Sequence, residues 1–137
     1  MKKNCINQLP FRVLLVEDSL ELQAMLKTML CEIPSVRVIA SVASEQEALE
    51  MIRIECADLA IVDLELESGT GLGVLKSLRD DNMQLNNEPL NVVVFSNYSN
   101  LLIRHRCLSL GATAFFDKSF QVDELLEFVH QQASGKV

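Results

Sequence analysis

The sequence lacks the features that mark several classes of protein. Basic residues are few: Lys and Arg total 12 against 19 Asp and Glu, and the formal net charge is −7. Duplex DNA and anionic membranes attract clustered basic residues, so this balance argues against direct binding to either. No apolar run reaches the roughly 18 residues that a membrane span needs, and none follows the charged N-terminal residues. We therefore expect neither a membrane span nor a secretory signal.

The cysteines lack the spacing of a metal or redox motif. Cys5, Cys31, Cys56 and Cys107 are scattered, and no two of them form a C-x-x-C pair. Metal binding and redox chemistry would need them clustered, so we expect reduced thiols. Reduced thiols and the missing secretory signal together predict a cytoplasmic protein.

The composition suits one folded domain. Hydrophobic residues make up 49% of the 137 positions, which is enough for a sizeable core. Repeats, low-complexity segments and an interdomain linker are all missing from the sequence. We predict one domain over residues 10–133, between loose tails at 1–9 and 134–137. An output domain would not fit in a chain of this length.

Short apolar runs alternate with segments of helical periodicity. Ser44 and Glu47 form a predicted capping box at the start of the second helix, and Gly111 stands where a left-handed cap would end the fourth. The predicted strands are 11–17, 36–41, 59–63, 91–96 and 114–116, and the predicted helices are 19–32, 45–54, a segment around 72–78, 101–110 and 122–132.

Five such βα units predict an α/β fold with a doubly wound parallel sheet, covered by helices on both faces. We favour the strand order 2-1-3-4-5, the flavodoxin-like arrangement, because right-handed crossovers leave few topologies. In such a sheet, ligands bind beyond the carboxyl ends of the strands, where the strand order reverses. That point lies between strands 1 and 3.

Polar residues of chemical interest stand at this end of four strands. Glu17 and Asp18 close strand 1, Asp63 closes strand 3, Ser96 closes strand 4, and Lys118 follows strand 5. Because the carboxyl ends of parallel strands meet at one edge of a sheet, we expect these five side chains to surround one crevice.

Carboxylates gathered in one crevice repel each other unless a cation neutralises them. Mg²⁺ prefers oxygen ligands and binds through one or two carboxylates together with waters and phosphate oxygens; Mn²⁺ can substitute for it. We expect Asp18 and Asp63 to be direct ligands and Glu17 to act through a water. The backbone carbonyl of Glu65 is the expected further ligand.

Asp63 is the predicted nucleophile, because it lies on the central strand beside the other acids and the lysine. A carboxylate can attack phosphorus to form an aspartyl phosphate. Phosphoryl transfer depends on positioning and charge neutralisation, to which Lys118 contributes a positive charge. The Ser96 hydroxyl can donate a hydrogen bond to a phosphoryl oxygen only once that group has arrived, which is the kind of differential contact that a switch requires.

Four short segments carry these five residues. They are LLVEDS (14–19), IVDLELESGTG (61–71), VVVFS (92–96) and GATAFFDKS (111–119). In this order, each at a strand end, they resemble the receiver domain of bacterial two-component response regulators over roughly residues 10–133.

The resemblance implies a phosphorylated signalling domain and not an enzyme that turns over a substrate. Phosphorylation of Asp63 by a histidine kinase or a histidine phosphotransfer protein would be catalysed by the domain itself, with slow autodephosphorylation. Phe115 would change rotamer together with Ser96. The surface formed by helix 4, strand 5 and helix 5 would then bind a downstream protein or a second copy of the chain as a homodimer.

The sequence also departs from the family pattern. Glu65 adds a negative charge near the acceptor, Asn97 replaces a small residue, and Ser119 replaces the proline that usually follows the lysine. Two alternatives stand beside the phosphorylated receiver, and these positions favour only the first. One is a receiver-like scaffold that works without phosphorylation. The other is a small-molecule phosphohydrolase, which would need an aspartate where Glu65 stands.

Structural roles could explain each candidate taken singly. Asp18 could merely cap helix 1, and Ser96 could cap helix 4. We interpret Phe120 as a packing residue, and Arg104-His105-Arg106 as a solvated helix face. The joint occurrence of all the candidates favours the functional interpretation.

Overall fold

The computed structural model describes residues 10–81, 90–98 and 100–135. Five strands and five helices alternate along them. The strands are β1 (Phe11–Val16), β2 (Val36–Val42), β3 (Leu59–Val62), β4 (Asn91–Ser96) and β5 (Ala114–Asp117). The helices are α1 (Leu20–Cys31), α2 (Glu45–Ile54), α3 (Gly71–Asp81), α4 (Leu101–Ser109) and α5 (Val122–Ser134).

The strands form one parallel sheet in the order β2-β1-β3-β4-β5. This order confirms the predicted doubly wound, flavodoxin-like topology. Strand β2 lies on one side of β1, and strand β3 lies on the other. The direction in which successive strands are added therefore reverses between β1 and β3. The loops that follow β1 and β3 therefore begin side by side.

Both faces of the sheet are buried at the three central strands, β1, β3 and β4, which explains why these strands read as continuous apolar runs. Side chains alternate along each strand. Leu14 and Val62 point to a core shared with α2, α3 and α4, whereas Leu15 and Ile61 point to a second core shared with α1 and α5. The sheet is thus packed against helices on both sides.

The helix caps decide between two interpretations left open by the sequence. Ser19 caps α1, with its hydroxyl accepting from the Leu22 N–H at 3.2 Å. Asn100 caps α4, with its side chain accepting from the Ile103 N–H at 2.9 Å. Asp18 and Ser96 are therefore not the caps of these helices. The capping roles that could have accounted for these two residues without a function are excluded.

The other two local predictions at helix ends are confirmed. The Ser44 hydroxyl accepts from the Glu47 N–H at 3.2 Å, and the Glu47 carboxylate accepts from the Ala43 N–H at 3.1 Å. Gly111 has a φ of 108°, the left-handed conformation expected after α4. Helix α5 runs to Ser134, two residues beyond its predicted end.

One prediction about the cysteines is wrong. Cys31 and Cys107 are free thiols, but Cys56 is disulfide-bonded. Spacing along a chain reveals clusters of cysteines, whereas a cross-link between distant positions depends on the fold. Cys5, the predicted tail at 1–9, and most of the connection between α3 and β4 lie outside the described residues. Within the described ranges, no helix has the length and apolar character needed to cross a membrane.

Candidate functional site

The loops after β1, β3 and β5 bring the predicted acids and the lysine together. Glu17, Asp18 and Asp63 each offer a carboxylate oxygen, and these three oxygens lie within 4.8 Å of one another. Glu17 and Asp63 are buried, whereas Asp18 is exposed. The crevice predicted from the strand order is therefore a real cluster, open to solvent on the side of Asp18.

Lys118 bridges the two buried carboxylates. Its Nζ lies 2.7 Å from Asp63 Oδ2 and 2.7 Å from Glu17 Oε1. The lysine side chain is only 13% exposed, so these contacts form in a region where water screens charge poorly. One ammonium group thus compensates part of the negative charge of three acids.

Burial and pairing oppose each other in the pKa values of this cluster. Burial raises the pKa of Glu17 above its ordinary value, although bonds from Lys118 and from the Ser19 N–H act to lower it. Burial acts to lower the pKa of Lys118, but hydrogen bonds to Asp63 and Glu17 outweigh it and raise the pKa overall. Lys118 is therefore charged at neutral pH, and its hydrogen bond and charge favour the ionised form of Glu17 against the effect of burial.

The backbone around Glu17 is fixed on several sides. The Glu17 N–H donates to the Val42 carbonyl at 2.9 Å, and Glu17 Oε2 accepts from the Ser19 N–H at 3.0 Å. The buried side chain of Gln23 donates to the Glu17 carbonyl. Gln23 was not among the predicted residues, since a single glutamine within a helical stripe gives no signal. These bonds hold the acidic pair at the end of β1.

Asp63 is held between the sheet and the loop that follows it. Its N–H donates to the Val16 carbonyl at 2.9 Å, which continues the pairing of β3 with β1. Asp63 Oδ1 accepts from the Glu65 N–H at 3.4 Å. The second carboxylate oxygen, Oδ2, is the one that contacts Lys118.

Ser96 is completely buried at the end of β4. Its hydroxyl accepts from the Tyr98 N–H at 3.1 Å, and its carbonyl accepts from the Lys118 N–H at 3.1 Å. The first bond links the Ser96 side chain to the loop that leads into α4, and the second links its backbone to the lysine. Ser96 therefore lies between the site and helix α4.

Comparison with known protein families identifies the family to which this chain belongs. The model of the response regulator receiver domain matches residues 13–130. The chain belongs to this receiver domain family. The match covers all five predicted site residues.

Relatives of this receiver domain include larger regulatory proteins. It is 26% identical over 133 residues to the nitrate/nitrite response regulator protein NarL of Escherichia coli (strain K12), covering 96% of this chain and 58% of NarL. It is 30% identical over 112 residues to protein-glutamate methylesterase/protein-glutamine glutaminase 1 of Saccharophagus degradans, covering 80% of this chain and 29% of that protein. The chain thus spans less than two thirds of these relatives.

Solved structures share the fold of this receiver domain. The receiver domain of NarL from Mycobacterium tuberculosis has a TM-score of 0.79 at 24% identity, with coverage of 91% of this chain and 97% of that chain. A CheX–CheY complex from Borrelia burgdorferi contains a chain with a TM-score of 0.78 at 21% identity, with coverage of 90% and 89%.

Phe115, the expected switch residue of the receiver domain, is buried against α4. The guanidinium carbon of Arg104 lies 4.9 Å from the centroid of its ring, and Arg104 also donates to Gln121 Oε1 at 3.1 Å. The interpretation of Arg104-His105-Arg106 as a solvated face is therefore wrong for Arg104, because its charge is placed over an aromatic ring. His105 and Arg106 are exposed, as expected.

Phe120 is also placed differently from its prediction. Its side chain is 72% exposed in the loop before α5, so it does not pack in a core. Phe116 does pack, with its ring centroid 5.8 Å from that of Phe128. An apolar residue in a loop has no periodic neighbours, so the sequence offered no signal for its exposure.

Two departures from the family pattern contact each other. The Ser119 hydroxyl donates to Asn97 Oδ1 at 3.3 Å, which joins the loop after β4 to the loop after β5. The Ser119 N–H donates to Asp117 Oδ1 at 2.7 Å, a bond that proline could not make. The loop that carries Lys118 is thus held by two bonds that a proline at position 119 could not make.

The donor set of the cluster fits a hard divalent cation. Its candidate ligands are carboxylate oxygens, which Mg²⁺ prefers over nitrogen or sulfur. Exposed Asp18 leaves one side open for the waters that Mg²⁺ retains. The carbonyl of Glu65, in the loop directly after Asp63, is the further ligand expected from the sequence.

Proposed function

We propose that this receiver domain accepts a phosphoryl group on Asp63 from the phosphohistidine of a histidine kinase or a histidine phosphotransfer protein. The observation that carries the proposal is the position of Lys118, with Nζ 2.7 Å from both Asp63 and Glu17 beside the exposed Asp18. An ammonium group at this distance can neutralise charge on an incoming phosphoryl group without leaving its carboxylate partner.

In the proposed reaction an Asp63 carboxylate oxygen attacks phosphorus. The new O–P bond forms as the bond from phosphorus to the imidazole nitrogen of the donor breaks, and that nitrogen keeps the electron pair. Lys118 donates to a phosphoryl oxygen while the charge develops, and the Ser96 hydroxyl donates to another once the group is in place. The other ring nitrogen of the donor carries a proton throughout, so the products are an aspartyl phosphate and a neutral histidine on the donor.

Asp18 and Asp63 would hold Mg²⁺, or Mn²⁺ in its place, as direct ligands, with Glu17 acting through an intervening water and Glu65 through its backbone carbonyl. The cation would supply positive charge that neutralises the phosphoryl oxygens. The CheY complex of similar fold from Borrelia burgdorferi contains BeF₃ and Mg²⁺, which supports this assignment.

The output of the phosphorylated domain would be a protein contact. Recruiting the Ser96 hydroxyl would alter its bond to the Tyr98 N–H, and Phe115 and the surface of α4, β5 and α5 would respond. The expected partner is a downstream protein or a second copy of the chain. The net charge of −7 supports a role without direct binding to DNA or membranes. We propose a cytoplasmic location because a histidine kinase takes its phosphoryl group from ATP there; the thiols do not support this location, since Cys56 is disulfide-bonded.

The test is labelling by a small phosphodonor. Purified protein is incubated with acetyl phosphate and Mg²⁺, and intact mass is measured. We expect the wild type and Asp80→Asn, an exposed acid outside the site, to gain one PO₃H unit. Asp63→Asn should gain none, and neither should the wild type in EDTA. An unlabelled wild type, or equal labelling of Asp63→Asn, would show that the proposal is wrong.

The contact between Asn97 and Ser119 favours one alternative, a scaffold that binds its partner without phosphorylation. It joins two loops that a switch would have to move. If the scaffold is correct, affinity for a partner will be the same in the wild type, in Asp63→Asn and in EDTA. If the receiver is a switch, beryllofluoride will change that affinity in the wild type alone.

A further inference from the structure

The loop that follows the phosphoacceptor, residues 65–70, is fastened to the start of helix α2. The Glu45 N–H donates to the Ser68 carbonyl at 3.0 Å, and the Glu67 N–H donates to the Ala43 carbonyl at 3.3 Å. Ser44 and Ser68 also form a parallel β-bridge. The loop is thus paired by its backbone to a segment from a different part of the chain.

The side chain of Glu45 adds a contact that backbone pairing cannot supply. Its Oε1 accepts from the Thr70 N–H at 2.9 Å. A Cβ atom at Gly69 or at Gly73 would overlap the Glu45 side chain, so this side chain lies directly against the backbone at both glycines. Gly69 has a φ of 80°, which favours glycine in any case. The glutamate therefore fills the space between the loop and the first turn of α3.

The contact at Thr70 reaches the acceptor in two steps. Thr70 and Glu65 form an antiparallel β-bridge that closes the loop, and the Gly71 N–H donates to the Leu64 carbonyl at 3.1 Å. Glu65 in turn donates its N–H to Asp63 Oδ1 at 3.4 Å. A bond that fixes Thr70 thereby fixes the peptide groups on both sides of Glu65.

We propose that Glu45 is a positioning residue for the metal site, and the inference rests on the proposed function of Asp63. By accepting from the Thr70 N–H, Glu45 would hold the loop in the conformation from which the Glu65 carbonyl is expected to complete the ligand set. The loop is exposed at Glu65 and Thr70, and its apolar contact with the core is made by Leu66, so the conformation of its other residues depends on such bonds. The role requires an acceptor oxygen and not a charge.

Two substitutions separate the hydrogen bond from the charge. Glu45→Gln and Glu45→Ala both remove the negative charge from the first turn of α2, but only glutamine keeps a side-chain oxygen at the same reach. The Mg²⁺ affinity of the unphosphorylated full chain is measured by isothermal titration calorimetry with MgCl₂. We expect Glu45→Ala to weaken binding about tenfold, as for other residues that orient metal ligands, and Glu45→Gln to stay within about twofold of the wild type.

A second readout follows the loop itself. Amide hydrogen exchange at Thr70 and Gly71 should be faster in Glu45→Ala than in Glu45→Gln, whereas exchange in β1 and β3 should be the same in both. A general loss of stability would instead speed exchange in the strands as well, and that result would overturn the positioning role.

Further results would also overturn the inference. One is a Glu45→Ala variant that binds Mg²⁺ as tightly as the wild type. Another is a Glu45→Gln variant that loses as much affinity as the alanine, which would assign the effect to charge. A wild type that binds no Mg²⁺ would overturn it as well. If the wild type binds Mg²⁺ but takes no phosphoryl group, only the proposed function fails, and the difference between Glu45→Ala and Glu45→Gln still supports the loop contact.

Discussion

Replacing Lys118 with methionine tests the electrostatic role of the lysine in the folded domain. Methionine has a similar length and no charge, so Lys118→Met keeps most of the side-chain volume and leaves Glu17 and Asp63 without their shared ammonium group. Both carboxylates are buried, and each lies 2.7 Å from Nζ in the wild type. The variant must therefore keep two negative charges in a poorly hydrated site or take up a proton.

The expected loss of stability is large for one substitution. Removing one partner of a buried ion pair costs about 3–5 kcal/mol. The exposed Asp18 side of the cluster admits some water, so we expect the lower end, about 3 kcal/mol, at pH near 8. For a chain of this length, that corresponds to a fall of about 10 °C in Tm.

The loss should depend on pH in a defined direction. Without Lys118 the folded-state pKa of Glu17, which burial already raises, rises further, because the hydrogen bond and the charge that lower it are gone. A carboxyl group whose pKa is raised by folding contributes its full stabilisation of the folded state at pH values below its ordinary pKa of 4.5. That contribution is lost as the pH rises through the raised pKa. Lys118 itself has a raised pKa and stays charged over this range. The stability gap between wild type and variant should therefore widen as pH rises from the ordinary pKa of 4.5 through the raised pKa of Glu17 in the variant.

The assay is urea unfolding followed by circular dichroism at several pH values, with EDTA present. Lys27→Met, at an exposed position on α1, controls for the loss of one positive charge and should cost less than about 0.5 kcal/mol. In the double variant Lys118→Met with Asp63→Asn, the loss should fall by about half, because one carboxylate has been neutralised. A loss as small as that of Lys27→Met, or one equal at every pH, would refute this account of the site.

Two further predictions concern the frame around the site. Gly111→Ala should lower the free energy of unfolding by about 1–2 kcal/mol from backbone strain alone, since φ is 108° and no atom would contact the new Cβ. Gly135→Ala, at a φ of −75°, is the control. Equal urea midpoints for the two variants would contradict the prediction. Iodoacetamide at about pH 8 should alkylate exposed Cys31 at least about a hundredfold faster than Cys107, because burial both covers the Cys107 thiol and raises its pKa. Peptide mass spectrometry measures the alkylation of both cysteines in one sample. Similar rates at the two positions would contradict the buried position of Cys107.

The sequence was informative wherever local pattern and topology agree. Apolar strand runs with helices between them admit few parallel arrangements, and the order β2-β1-β3-β4-β5 followed from them. Since the carboxyl ends of parallel strands meet, the positions of Glu17, Asp63 and Lys118 after their strands predicted their convergence. No knowledge of side-chain geometry was needed for this step.

Contacts between loops and helices escaped prediction for physical reasons. Glu45 and Thr70 are separated by 25 positions, and an acidic residue in the first turn of a helix is already explained by the helix dipole. Arg104 stands beside two exposed residues, so its contact with Phe115 depends on how α4 lies against β5. Cys56 shows the same limit, because its cross-link depends on the fold and not on spacing.

Lys118 extends from the loop after the outermost strand, β5, to acids that follow β1 and β3, with β4 between them. Its side chain thus spans the end of the sheet. It connects the edge strand β5, which pairs with a strand on one side only, to the centre of the sheet. If the Lys118 ammonium group exchanged one carboxylate for another anion, the loop after β5 would move with it. No hydrogen bond between the strands would have to change. A change at the centre of the sheet would then reach its edge through a single side chain.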